Sequence, residues 1–174
     1  ANGTTTEIWY APNVTGAGTT ITVNLASLRA AAIVIEYSGI LTASPLDAIA
    51  TTTGNSATAS TGTTTTTTQA NELWIGGIGL VNSRYTLGTP TNSFSAVTNT
   101  ASTSGGAGNN AKIYALEKIV TVTGTASTGG TVSTSSQWSG AIATFKKAPI
   151  TSTGTGGNWS NTGTWVGGVV PATG

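Results

Sequence analysis

The chain has 174 residues, enough for one domain with a short appendage, and its six basic and five acidic residues leave a net charge of +1. So little charge gives no electrostatic basis for binding nucleic acid or an anionic membrane surface. The absence of cysteine and histidine rules out disulfides, Cys/His metal sites and the Ser-His-Asp and Cys-His catalytic devices.

About a fifth of the residues are threonine, and with a mean hydropathy of +0.11 the chain is expected to collapse rather than stay disordered. Its apolar pattern has a period of two almost throughout. TEIWYAP (6–12) reads as a first strand that ends on proline. In TTITVNL (19–25), Ile21, Val23 and Leu25 share one face and Thr20, Thr22 and Asn24 the other. In AAIVIEYSG (31–39), Ile33, Ile35 and Tyr37 face one way, Val34 and Glu36 the other. PLDAIATTTG (45–54) follows a turn at Ser44-Pro45. TGTTTTTTQ (61–69) is low in complexity, but threonine is β-branched, so it is predicted to be a half-exposed strand rather than a linker.

NELWIGGIGL (71–80) is a strand whose glycines imply a bulge or close packing, and NSFSAVTNT (92–100) is a short one. AKIYALEKIVTVTG (111–124) carries both spacings. Ile113, Leu116, Ile119 and Val120 fit a helix, whereas Tyr114, Leu116, Lys118, Val120 and Val122 fit a strand. The lack of an N-cap and the run into Val-Thr-Val-Thr favour the strand. GTVSTS (130–135) and WSGAIATFKKAP (138–149) complete the series. Nine or ten short strands between Gly/Ser/Asn turns predict an all-β fold, an antiparallel β-sandwich of jelly-roll type spanning residues 1–149. Residues 150–174 are predicted to be an extended, strand-like C-terminal tail. No apolar run approaches the ~20 residues of a membrane span.

Several stretches, IVIEYSGI, PLDAIATTTGNS, STGTTTTTTQANELWIGGIG, ALEKIVTVTGTAS and WSGAIATFKK, together resemble concanavalin-like or jelly-roll sandwich domains of secreted prokaryotic surface proteins and phage-associated proteins. The resemblance covers roughly residues 7–147. The tail GNWSNTGTWVGGVVP is similar to segments that open further β-rich domains in large repetitive adhesins. Both resemblances imply an extracellular or cell-surface β module.

The chemistry available is sparse. The five carboxylates Glu7, Glu36, Asp47, Glu72 and Glu117 show none of the paired spacing of a glycosidase strand, so they read as single turn or edge residues and the protein as a non-enzyme. No cofactor and no metal site is predicted. TSGGAGNN lacks the strand, lysine and helix of a phosphate loop and reads as a turn. An intramolecular Lys–Asn isopeptide bond is considered at Lys112 and Lys118. Trp9, Tyr10, Trp74, Tyr85 and Trp138 are candidates for stacking on sugars, with a place in the apolar core as the plainer reading. N-x-S/T sequons at Asn2, Asn13 and Asn158, with Thr/Ser-rich stretches beside them, offer sites for attached glycans that would hydrate an uncharged surface.

The tail carries the main functional expectation. Trp159, Trp165, Val166, Val169, Val170 and Pro171 are too apolar to remain in water, and open sheet edges without charge invite strand addition. The protein is therefore expected to be an extracellular structural subunit that polymerises with copies of itself into a filament or array, the tail docking on a neighbour. The alternative is a carbohydrate-binding or adhesin module of a larger secreted protein.

Overall fold

The computed structural model describes residues 3–16, 18–25, 28–166 and 170–171. Among them five strands form one antiparallel sheet: β1 (Leu46–Ser60), β2 (Glu72–Leu80), β3 (Ser95–Ala101), β4 (Lys112–Val120) and β5 (Gly129–Lys146), in the order β1-β5-β2-β4-β3. The two-way pattern at 111–124 resolves as strand: Tyr114, Leu116 and Val120 enter the core from β4, all on one side of the pleat.

Register explains which side chains meet. Glu72, Trp74, Gly76, Ile78 and Leu80 share one face of β2, opposite Trp138, Gly140, Ile142, Thr144 and Lys146 of β5. This face holds the main core, where Trp74, Ile78, Leu80, Tyr114, Leu116, Trp138 and Ile142 pack under Phe94 and Ala126 from the connecting loops and Val132 from the start of β5. Two glycines make room here. The Trp138 ring lies directly over Gly54, its partner across the ladder, and a side chain at Gly140 would strike the carbonyl of Ser60.

Two irregularities bend β1 against β5. Toward the end of β1, Ser56 faces Ser136 while Thr58 faces Thr131, so β5 holds extra residues that β1 lacks. At the start, Asp47 and Ala48 together oppose Thr144, whose hydroxyl accepts the Ala48 amide at 3.0 Å.

The threonine run is paired, but not as a regular strand. Thr61, Thr64 and Thr67 are buried, a period of three, and they face Thr128, Ala126 and Gly124, a period of two. Each threonine amide donates to the partner's carbonyl at 2.8, 3.0 and 2.9 Å. Each threonine hydroxyl accepts the same partner's amide at 3.0, 2.9 and 3.2 Å. The hydroxyl replaces the backbone carbonyl that a strict two-residue register would have supplied, so these buried peptide groups are satisfied without a ladder.

The opposite face, with Leu73, Ala141, Ala143 and Phe145 buried, is met by the N-terminal arm (described residues of 3–38), which packs on it through Thr6 and Tyr10. Thr6 donates to the Ser139 carbonyl at 3.2 Å and lies against Gly77 and Gly79, where any side chain would displace it. The Tyr10 ring meets Phe145 edge-on at 5.3 Å. Further along, Arg29 donates to the Asn109 carbonyl at 2.8 Å and Tyr37 to the Glu117 carboxylate at 2.6 Å. Burial, followed by the bond and charge of Glu117, raises the Tyr37 pKa far above the phenol range.

The all-β, antiparallel class expected from the sequence is therefore present, whereas the described residues hold five strands where the pattern predicts nine or ten. The expected strands at 6–12, 19–25 and 31–39 lie outside the five strands, and the predicted alternation is kept at 31–36, with Ala31, Ile33 and Ile35 half-buried between exposed neighbours. Among the described residues no ladder joins them to one another or to the sheet, and their one backbone tie is at the end of the third, where the Ala148 amide donates to the Gly39 carbonyl at 2.8 Å. Side-chain patterning sets extension and the buried face, while a ladder also needs a neighbour whose free amides lie in register.

Candidate functional site

Residues 151–166 fold locally instead of running out as one extended strand. Their backbone bonds are made among themselves: Thr153 donates to the Thr164 carbonyl at 2.7 Å and Val166 to the Thr151 carbonyl at 2.8 Å. The sequence explains the turn. The Asn161 side chain accepts from the Gly163 amide at 2.9 Å and caps a short 3-10 turn, Thr162–Thr164. Buried Thr164 donates its hydroxyl to the Asn158 carbonyl at 2.8 Å.

Of the expected docking residues, Trp159 and Trp165 are brought together. Their rings meet edge-to-face at 4.9 Å, and the Trp165 indole donates to the Trp159 carbonyl at 2.9 Å. Trp159 and Val166 nevertheless remain 55% and 61% exposed, while Trp165, Val170 and Pro171 are half-buried. Val169 lies outside the described residues. Of the sequon asparagines, Asn13 and Asn158 are exposed and Asn2 lies outside the described residues.

The aromatic candidates separate cleanly. Trp74 and Trp138 are core residues and Tyr85 packs against that core. Trp9 is 86% exposed, its indole tied to Glu7 at 2.9 Å. Lys112 and Lys118 also find other company than an asparagine side chain. Lys112 sits over the Tyr114 ring, and Lys118 over Trp74 while donating to the Asn92 backbone carbonyl at 2.9 Å.

A cluster that the sequence does not announce lies where β1 begins and β5 ends. Asp47, with its side chain 3% exposed, accepts the Lys146 ammonium at 3.1 Å and both the amide and the hydroxyl of Thr68. Glu72, 2% exposed, accepts the Trp74 indole at 2.9 Å through Oε2, whereas its Oε1 has no donor. Glu72 is directly opposite Lys146 in the β2–β5 ladder, and its carboxyl reaches that of Asp47.

Two carboxyls so close in a buried place do not both ionise readily. Burial first, then the Asp47 carboxylate, raises the Glu72 pKa to about 7 against the opposing pull of the Trp74 bond. Burial also pushes Asp47 upward, but Thr68, Glu72 and Lys146 outweigh it and hold Asp47 well below the ordinary carboxylate range. Below about pH 7 the proton of the pair therefore resides on Glu72.

One signal in the sequence could have located this cluster. In ELWIGGIGL the alternation places Glu72 on the face of Trp74, Ile78 and Leu80, a charge among core residues. In WSGAIATFKK the same count puts Lys146 on the face of Trp138 and Ile142. Among the described residues no group of three or more His, Cys, Asp or Glu side chains could hold a metal ion, and no helix is long and apolar enough to cross a membrane.

Compared with known proteins, the chain matches no family model, no curated protein and no solved structure.

Proposed function

We propose that this chain is a structural β module of the cell surface or extracellular space that associates with further copies of itself by strand addition. The observation that carries this reading is the arm. Residues 3–38 hold strand-patterned sequence, with Ile21, Val23, Leu25, Leu28 and Val34 exposed, and among the described residues their backbone forms no ladder. The outer strands of the sheet support it. β3 carries no charged residue and β1 only Asp47, so neither edge has the charges that ordinarily block pairing between molecules.

In this reading the arm completes a second sheet, and with it the sandwich, when a neighbour supplies the missing strand. The C-terminal extension contributes a preformed apolar face, Trp159 and Val166. Repeated head-to-tail contacts of this kind propagate into a filament or array. Glycans on Asn13 or Asn158 would supply the hydration that charge does not.

Light scattering and negative-stain imaging of the full chain test the proposal. Concentration-dependent oligomers or fibres are expected, reduced by Val→Lys changes at Val23 and Val34. A chain that stays monomeric at millimolar concentration overturns it. The second reading, a carbohydrate-binding or adhesin module, draws on Trp9, a nearly free ring steadied by Glu7. Glycan-array binding that is lost in Trp9→Ala would favour it.

A further inference from the structure

We propose that Lys146 and Asp47 condense into an intramolecular isopeptide bond, with Glu72 as the proton carrier. The inference is independent of how copies associate. It rests on three groups that the fold brings together from three strands. The Lys146 ammonium lies 3.1 Å from Asp47 Oδ1, in a pair whose acidic side chain is almost fully buried. Glu72, opposite Lys146 in the ladder and within reach of Asp47, is buried with one oxygen lacking any donor. Both Asp47 oxygens are held by Thr68, Oδ2 by its amide and Oδ1 by its hydroxyl.

This arrangement does more than hold an ion pair. A buried Lys–Asp pair is already neutral overall, and a third carboxyl beside it adds desolvation cost without adding attraction. That third group has a use if a proton must be moved. The Glu72 proton passes to Asp47, and Glu72 takes one in turn from Lys146, which leaves a neutral amine beside a neutral, buried acid.

The Nζ lone pair then bonds to Asp47 Cγ, and the Thr68 amide steadies the charge that develops on Oδ2. The Cγ–Oδ1 bond breaks and Oδ1 leaves as water. The ammonium gives up two protons in all and the departing oxygen gains two, so ammonium plus carboxylate yields amide plus water and Glu72 ends as it began. No oxidant, reductant or activated ester is needed. Fixed juxtaposition of this kind raises the effective concentration of one partner at the other to ~10⁵ M or more, which favours condensation where free solutes would not react.

The test is the intact mass of the full chain, measured after purification and after prolonged incubation between pH 5 and pH 8. The expected mass is one water below that of the sequence. Tryptic digestion is expected to give residues 30–84 joined to residues 119–147 through Asp47 and Lys146, since cleavage after a linked Lys146 is blocked.

Lys146→Arg keeps the cation but cannot condense, and is expected to show the full mass with unchanged far-UV circular dichroism. Glu72→Gln is expected to condense at least a hundredfold more slowly. A wild-type chain that keeps its full mass throughout overturns the proposal, as does a deficit that persists in Lys146→Arg. Condensation of Glu72→Gln at the wild-type rate overturns the role of Glu72. If a variant fails to fold, the wild-type mass and the joined peptide still decide the matter.

Discussion

In the N-terminal arm, Thr6, Tyr10, Arg29 and Tyr37 anchor the chain through their side chains, while among the described residues the backbone finds no ladder partner. In residues 151–166 the backbone is bonded to itself and the apolar side chains Trp159 and Val166 face outward. Each region completes what the other leaves open. The comparison shows that burying a side-chain pattern and satisfying peptide groups are separate problems. The arm solves the first only in part, since Thr6 and Tyr10 reach the sheet while Ile21, Val23, Leu25, Leu28 and Val34 stay exposed.

The largest test of this contrast is removal. Deleting residues 3–38 uncovers Leu73, Ala141, Ala143 and Phe145, a loss of several kcal/mol at about 25 cal/mol per Å². Urea unfolding and binding of a hydrophobic dye are expected to show a markedly destabilised sheet. A stability equal to that of the full chain would mean that the arm does not cover this face.

A smaller lever is Gly79→Val. The new Cβ meets the Thr6 hydroxyl and lies 3.0 Å from Ser139 Oγ, so the arm must lift or the sheet must bend, at a cost of about 1–3 kcal/mol. Limited proteolysis is expected to cut the arm sooner while residues 151–166 keep their original resistance.

The charge cluster that lies between the two regions predicts a pH effect in the Lys146→Arg chain, where no amide can form. The Glu72 pKa is raised from 4.5 to about 7 on folding, so the folded chain holds a proton that the unfolded chain has lost within that window. Stability therefore falls as pH rises from about 4.5 to 7. Thermal melts are expected to drop by several degrees across it, and the slope should vanish when Glu72→Gln is added.

The smallest global effect belongs to Trp165→Ala. It removes the edge-to-face pair and the bond to the Trp159 carbonyl, about 0.5–1.5 kcal/mol of local stability. Hydrogen exchange at Thr153 and Val166 is expected to quicken, with the melting midpoint of the sheet unchanged. A fall of several degrees would show that this segment supports the sheet.

How far the sequence speaks is visible in particular residues. The alternation in NELWIGGIGL and WSGAIATFKK reads directly as the paired β2 and β5, because both faces of those strands are buried and every position is constrained. The run at 61–69 reads as extended, but its three-residue register does not, since it depends on which amides residues 124–128 present. In the arm the alternation of Ile33, Val34 and Ile35 is correct, while the missing ladder is a property of the neighbours, which no local pattern contains. The candidate site divides in the same way. Trp159 and Trp165 stand out by type, whereas Asp47, Glu72 and Lys146 lie far apart in sequence and meet only because β1 and β2 both flank β5.

The ladder also fixes where the chain enters and leaves the sheet. Leu46 faces Phe145, and just beyond them Leu41 donates to the Lys146 carbonyl and Ala148 to that of Gly39, so the two ends depart side by side from the same corner. Tension between those ends would pull the ladder open like a zip, each bond bearing the load in turn instead of all sharing it. Asp47 and Lys146 sit just inside those two outer bonds, so the hold between them sets the force at which β1 begins to peel from β5.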